Sequence, residues 1–166
     1  MNKFEKFQNA ISFKHANKIA INLSPANSFR SRCEFSYDKD HYVMHGIYEK
    51  IYIKTFMDAS LEIQKIMPVL LNEINNNDEI KEKLFQINFR SNQLNKLMIT
   101  MIYHKKIDES LIVLLNQISK NLDINIIVRS KNFVHGIRGF YLEDMLAYKN
   151  LKIFQTDNTF TQSNKY

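Results

Sequence analysis

The sequence predicts an α+β fold, a mostly antiparallel sheet with two main helices packed on one face. Three observations carry this. Stretches that alternate apolar and polar residues recur along the chain, as half-buried strands do. Two stretches place apolar residues at helical spacing. Their order is strands, helix, two strands, helix, strands, and that order suits a two-layer α+β arrangement.

The elements follow in order. Phe4 to Phe13 reads as a short amphipathic helix, with Phe4, Phe7 and Ile11 on one side. Ser24-Pro25-Ala26-Asn27-Ser28 is a turn, since proline fixes its own φ and disfavours helix before it. Phe29 to Tyr37 is a strand that puts Arg30, Arg32 and Glu34 on one face. Asp38-Lys39-Asp40 turns the chain into a second strand, His41 to Tyr48, and Ile51 to Phe56 is a third. Asp58 or Ser60 caps a helix carrying Ile63, Ile66, Met67, Leu70 and Ile74 as its apolar stripe. Pro68 inside that pattern predicts a kink or a restart. Asn75 to Asp78 ends the helix.

A hairpin follows. Lys83 to Arg90 alternates, with Phe85, Ile87 and Phe89 on one side and Gln86, Asn88 and Arg90 on the other. Ser91 to Asn95 supplies the turn, and Leu97 to Lys106 returns. Asp108 caps a second helix with Leu111, Leu114, Leu115, Ile118 and Leu122 as its stripe. Ile124 to Arg129, Asn132 to Gly136 and Leu151 to Phe154 read as strands, Gly136 and Gly139 bracket a loop, and Asn158 to Tyr166 is a polar tail.

The composition is that of a globular protein: 166 residues, 45% hydrophobic and 24% charged. No apolar run approaches the roughly 20 residues that span a bilayer. Met1 to Lys6 lacks the apolar core of a signal peptide, so the expected location is cytoplasmic. A formal charge of +6 suits nucleic acid or an acidic surface, although a lysine-rich composition produces the same charge without a ligand.

Three glycines cannot write a P-loop or a dinucleotide fingerprint. The lone Cys33 can form neither an internal disulfide nor a zinc site by itself, and the five histidines show no metal-ligand spacing. His41 and His45, on one strand, lie too far apart for easy chelation. No complete active site and no metal site can be written.

Three features suit RNA, each with a plainer alternative. Arg30 and Arg32 fit phosphate contacts or a solvated face pairing with Glu34. Phe85 and Gln86 fit a base-stacking ring beside a base-reading amide, or Phe85 is core. His104-Lys105-Lys106 fits a phosphate-positioning cluster or an ordinary basic loop.

Several of these stretches also carry a resemblance. Ser24-Pro25, Phe29-Arg30-Ser31-Arg32-Cys33-Glu34-Phe35, Lys83-Leu84-Phe85-Gln86-Ile87, Tyr103-His104-Lys105-Lys106 and Asn158-Thr159-Phe160-Thr161-Gln162-Ser163-Asn164 occur in that order. Over most of the chain the sequence resembles the N-terminal part of bacterial tRNA (uracil-5-)-methyltransferase. The resemblance implies an RNA-binding domain over 1–155 that grips the tRNA T-arm, acting as a monomer. It implies that 156–166 begins the connection into a Rossmann-like methyltransferase domain. Phe85, Gln86, His104, Lys105, Arg30 and Arg32 would meet RNA, and Gln162 would be the first S-adenosyl-L-methionine contact.

The family's mechanism is covalent. A cysteine adds to C6 of uracil, C5 takes the methyl group, and a glutamate removes the C5 proton before the cysteine leaves. In the resemblance these groups fall beyond Tyr166, and Cys33 is not the nucleophile. The expectation is therefore an N-terminal fragment that binds tRNA and transfers no methyl group. A stand-alone RNA-binding module and an inert remnant of a broken gene are the alternatives. Ser36 stands where the family carries an RNA-contacting arginine.

Overall fold

The computed structural model describes residues 3–11, 23–146 and 151–164. The elements are α1 (Lys3–Ile11), β1 (Arg32–Asp38), β2 (His41–His45), β3 (Lys50–Ile53), α2 (Leu61–Asn75), α3 (Asp78–Lys81), β4 (Leu84–Ser91), β5 (Leu97–Tyr103), α4 (Glu109–Leu122), β6 (Asn125–Ser130), β7 (Phe133–Ile137), β8 (Tyr141–Leu146) and β9 (Leu151–Thr156). Seven strands form one sheet in the order β3-β2-β1-β4-β5-β6-β7, and β8 pairs β9 in a separate hairpin. Every pairing is antiparallel except β5 with β6, which α4 connects as a crossover.

The alternation along the central strands decides which face is covered. Cys33 and Phe35 on β1, Ile87 and Phe89 on β4, Ile99, Met101 and Tyr103 on β5, and Ile126 and Val128 on β6 are all buried in one core. Ile63, Met67, Leu70 and Ile74 of α2 and Leu111, Leu115 and Ile118 of α4 join it. The two stripes read from the sequence are thus the helix faces that close this side of the sheet. Two buried tyrosines tie the layers by hydrogen bonds: Tyr42 donates to the Met67 carbonyl and Tyr103 to that of Ile80, each at 2.9 Å.

Several local expectations change. The first helix is described over Lys3–Ile11, and residues 12 and 13 of the predicted span lie outside the described residues. The strand expected from Phe29 starts at Arg32, because Arg30 bridges Ala59 and Asn164 instead of β4. The second strand stops at His45, where Gly46 N–H donates to the Glu49 carbonyl and closes a turn. Ser60, not Asp58, stands at the start of α2, and its hydroxyl meets Ser91 Oγ at 2.9 Å instead of capping the helix.

Pro68 neither breaks nor restarts α2. Proline removes the N–H that would reach the Gln64 carbonyl. Thr55 Oγ1 donates to that carbonyl at 3.3 Å, so the freed acceptor has a partner. A short α3 follows, unforeseen, with the Asn77 side chain accepting from the N–H groups of Glu79 and Ile80. Asp108 caps α4 as expected, accepting from Leu111 N–H at 3.0 Å. The strand β8, a stretch to which the sequence reading assigns no element, pairs residue for residue with β9.

Phe89 packs edge-on against Tyr42 (5.5 Å between ring centroids, 76°) and Phe35 (6.2 Å, 62°). Phe89→Ala should destabilise the chain by about 3–5 kcal/mol, as large aromatic truncations in cores do. Urea unfolding measures this, and a loss of less than about 1 kcal/mol would place Phe89 outside the cooperative core.

Candidate nucleic-acid interface

The sheet face opposite α2 and α4 carries the polar half of each alternating strand. Cross-strand register sets its rows. Ser36, Gln86, Ile102 and Arg129 stand side by side on β1, β4, β5 and β6, and Glu34, Asn88, Thr100 and Ile127 form the next row. Arg32, Arg90, Met98 and Asn125 form the third. Gln86 donates to Asn88 Oδ1 at 2.7 Å, and Ser36 Oγ lies 3.0 Å from His45 Nε2 on β2.

Part of this face is covered. Leu142 of β8 packs on Met98 and Ile127. Asn92 donates to the Glu143 carbonyl and Gln93 N–H to the Asp144 carboxylate, which fixes β8 against the β4–β5 turn. The segment after β9 then crosses the sheet. Asp157 pairs with Arg129, Arg90 donates to the Thr159 carbonyl at 2.9 Å, and Ser31 N–H donates to the Ser163 carbonyl at 2.7 Å. Arg90, expected on an open polar face, is 4% exposed beneath this strap. Burial pulls its pKa down, with the charge of Arg32 adding to the effect.

The hairpin alternation fails at one place. A register shift between Leu84 and Gln86 takes Phe85 out of the inward row. Ile87 and Phe89 are fully buried, whereas Phe85 is 43% exposed. Phe85, Ile87 and Phe89 therefore do not share a face, and the core reading of Phe85 is overturned. Its ring stacks on His104, with centroids 4.1 Å apart and planes 16° apart.

The other candidates divide. Gln86 lies half-buried next to Phe85, on the open face. Lys105 turns toward α3: its ammonium donates to the Glu79 carbonyl at 2.9 Å and pairs with Glu82 at 3.0 Å. Arg32 pairs with Glu34, Nε at 3.0 Å and Nη2 at 2.5 Å, so the plainer reading of that face is the one observed. Arg30 is half-buried, its guanidinium 5.8 Å from the centre of the Phe29 ring, and its Nε has no hydrogen-bond partner among the described residues. Gln162 is exposed, and its backbone carbonyl accepts from Ser31 Oγ at 3.3 Å.

Two crevices relate these groups. One of about 380 Å³ has Arg30, Arg32, Glu34 and Gln162 in its walls. The other, of about 410 Å³, runs from Arg30 past Ser36 and His45 to Gln86. Arg30 borders both. A groove of about 1060 Å³ lies between His104–Ile107 and Arg129–Phe133. Arg129, Lys131 and Phe133 are not singled out by sequence reasoning. The signal was two cations, Arg129 and Lys131, shortly before an aromatic, at the end of a β-branched strand.

Cys33 is on the covered face, 5% exposed. Burial pushes its thiol up to about 12; Asp58 and Glu34 add to the shift and Arg30 opposes it. No group of three or more metal-ligating side chains occurs among the described residues. His41 Nδ1 instead lies 2.7 Å from the Lys39 carbonyl.

The chain matches a family model described as tRNA (uracil-5-)-methyltransferase over residues 1–166. A curated tRNA/tmRNA (uracil-C(5))-methyltransferase of Campylobacter lari is 36% identical over 140 residues, covering 81% of this chain and 39% of the relative. One of Nautilia profundicola is 33% identical over 175 residues, covering 98% and 48%. The chain thus spans less than half the length of these relatives. The crystal structure of Pyrococcus abyssi tRNA (uracil-54, C5)-methyltransferase in complex with S-adenosyl-L-homocysteine superposes with a TM-score of 0.64 at 12% identity. That likeness covers 86% of this chain and 39% of that one, and shows a shared fold.

The burial of Cys33 has a checkable consequence. A thiol held up at about 12 offers almost no thiolate near neutrality, so native Cys33 should resist alkylation at pH 8 and react once unfolded. Buried Tyr42 and Tyr103 are raised as well. Raised native values mean the unfolded chain loses its protons first. Stability from these groups is full below about pH 8 and falls as pH rises, first through the Cys33 thiol and above about pH 9 through the tyrosines, by up to about 1.4 kcal/mol per pH unit per group. Denaturant midpoints that do not move between pH 8 and pH 11 would contradict this.

Proposed function

Because the chain belongs to the tRNA (uracil-5-)-methyltransferase family, we propose that these residues grip tRNA at its T-arm for an enzyme that methylates C5 of a uridine. S-adenosyl-L-methionine would be the methyl donor. The observation that carries this reading is the exposed Phe85 ring, released from the core by a bulge and stacked on His104. Aromatic surface that the core could have buried is offered to solvent beside an amide, Gln86, and an imidazole. Such a ring stacks on unstacked bases, and a neighbouring amide reads their edges. Enzymes that act on a base must draw it from its stack, which a platform of this kind assists.

The electrostatics divide by distance. Arg32 stands opposite Arg90 toward one end of β4 and Phe85 with His104 at the other, and the crevice past Ser36 runs from Arg30 as far as Gln86, the neighbour of Phe85. Arg32 would have to exchange Glu34 for a phosphate, a trade that salt weakens. Lys105 serves α3 in the unbound chain, so its part is to hold the β5 exit unless RNA displaces Glu82.

Gln162 offers one exposed amide at a polar crevice, which fits one contact to S-adenosyl-L-methionine and supplies part of a site. The donor would bring an electrophilic methyl group. The share of these residues is to place Gln162, through Ser31 and the Arg30–Asn164 bridge, against the RNA-facing sheet. The nucleophilic cysteine of the covalent mechanism is not Cys33. We place the RNA-gripping unit at 1–155 and the connection toward a catalytic domain at 156–166, in a cytoplasmic monomer.

Two experiments test this reading. Binding of unmodified tRNA to the 166-residue chain should weaken steeply with salt, as phosphate contacts release counterions. Phe85→Ala should weaken it by about 1–3 kcal/mol at unchanged Tm; a fall in Tm instead would make Phe85 structural. The chain should also transfer no labelled methyl group from S-adenosyl-L-methionine to tRNA, and detectable methylation would refute the assignment of the nucleophile outside these residues.

A further inference from the structure

We propose that the groove outside the carboxyl ends of β5 and β6 is a second nucleotide site. It takes an unstacked base of single-stranded RNA on Phe133 and the adjoining phosphates on Lys106 and Lys131. The proposal rests on the RNA-gripping reading and extends it to residues that reading leaves unused.

Topology creates the groove. The strands β5 and β6 are the one parallel pair among the described strands, with Ile102 opposite Arg129. Beyond that register the chain leaves β5 toward α4, while β6 turns back into β7. The two exits diverge and leave a crevice, the place where open sheets with parallel strands bind ligands. At about 1060 Å³ it is as large as the largest small-molecule sites, which run to roughly 1,000 Å³.

The lining fits a nucleotide. Ile102, Tyr103 and Ile107 make an apolar floor. Phe133 stands on the rim, 37% exposed, at the first pair of the β6–β7 hairpin. Its ring lies nearly parallel to that of His135, 6.2 Å between centroids and 17° between planes. The cations differ in availability. Arg129 is held by Asp157 and Lys105 by Glu82, whereas Lys106 and Lys131 are exposed and form no ion pair among the described residues. Uncommitted positive charge beside an aromatic rim and an apolar floor is complementary to a base with its phosphates. His104 borders the groove and also carries Phe85, so the two platforms are neighbours along one path.

The test uses the whole chain and a short fluorescein-labelled single-stranded RNA, read by anisotropy. Phe133→Ala should raise Kd at least about fivefold, the low end of one lost base stack, and Phe133→Tyr should restore it. The joint replacement of Lys106 and Lys131 by Gln removes no buried group. It should make the salt dependence shallower by about one to two phosphate contacts. If Phe133→Ala and the lysine variant bind like the original while Phe85→Ala is weakened, the groove holds no nucleotide and the RNA-gripping reading survives. If the original chain does not bind RNA at all, both readings fall.

Discussion

The structure depends on one-sided burial of β4. Ile87 and Phe89 are sealed under α2 and meet Phe35, Tyr42, Met101 and Ile99 in the same core. A slip of one residue would expose that whole set, so the register with β1 and β5 is strongly specified. The residues that alternate with Ile87 and Phe89 are thereby committed to the other face. Gln86, Asn88 and Arg90 lie opposite the helices because their neighbours are needed beneath them. The polar sheet face is, in this sense, the remainder of the core.

That remainder is edited in two places. At the start of β4 the bulge breaks the alternation and releases Phe85 onto the surface, where His104 receives it. At the far end the strap after β9 crosses the sheet and covers Arg90. Among the described residues, Arg90 has no carboxylate hydrogen-bonded to it there. Its donors go to backbone carbonyls of the strap and to Thr159, so a single guanidinium ties sequence-distant segments together. Arg129 does the same through Asp157. Two arginines that look like ligand contacts by composition are therefore structural clamps, and the exposed cations lie elsewhere.

The contrast shows what charge in a sequence can and cannot report. The formal charge of +6 is the same whether an arginine holds a carbonyl or awaits a phosphate. Arg32, Lys105, Arg90 and Arg129 each have partners within the chain. Lys106 and Lys131 stay exposed beside the groove. Local sequence treats all six alike.

Much was legible in the residues themselves. The apolar stripes of α2 and α4, the Asp108 cap and the central hairpin follow from spacing and side-chain chemistry, because those rules act within a few residues. The polar segment Phe-Thr-Gln-x-Asn and the Tyr-His-Lys-Lys run pointed to the family that the whole chain matches. What the sequence could not decide depends on partners distant along the chain. Thr55 repairs the carbonyl that Pro68 frees, Arg30 bridges Ala59 and Asn164 rather than extending β1, and the bulge turns Phe85 outward. Local sequence thus determined the apolar faces of α2 and α4, the alternation of β4 beyond Gln86 and the family the chain belongs to. The tertiary structure alone decided which polar groups remain free for a ligand, since a buried donor takes whatever acceptor the fold brings to it.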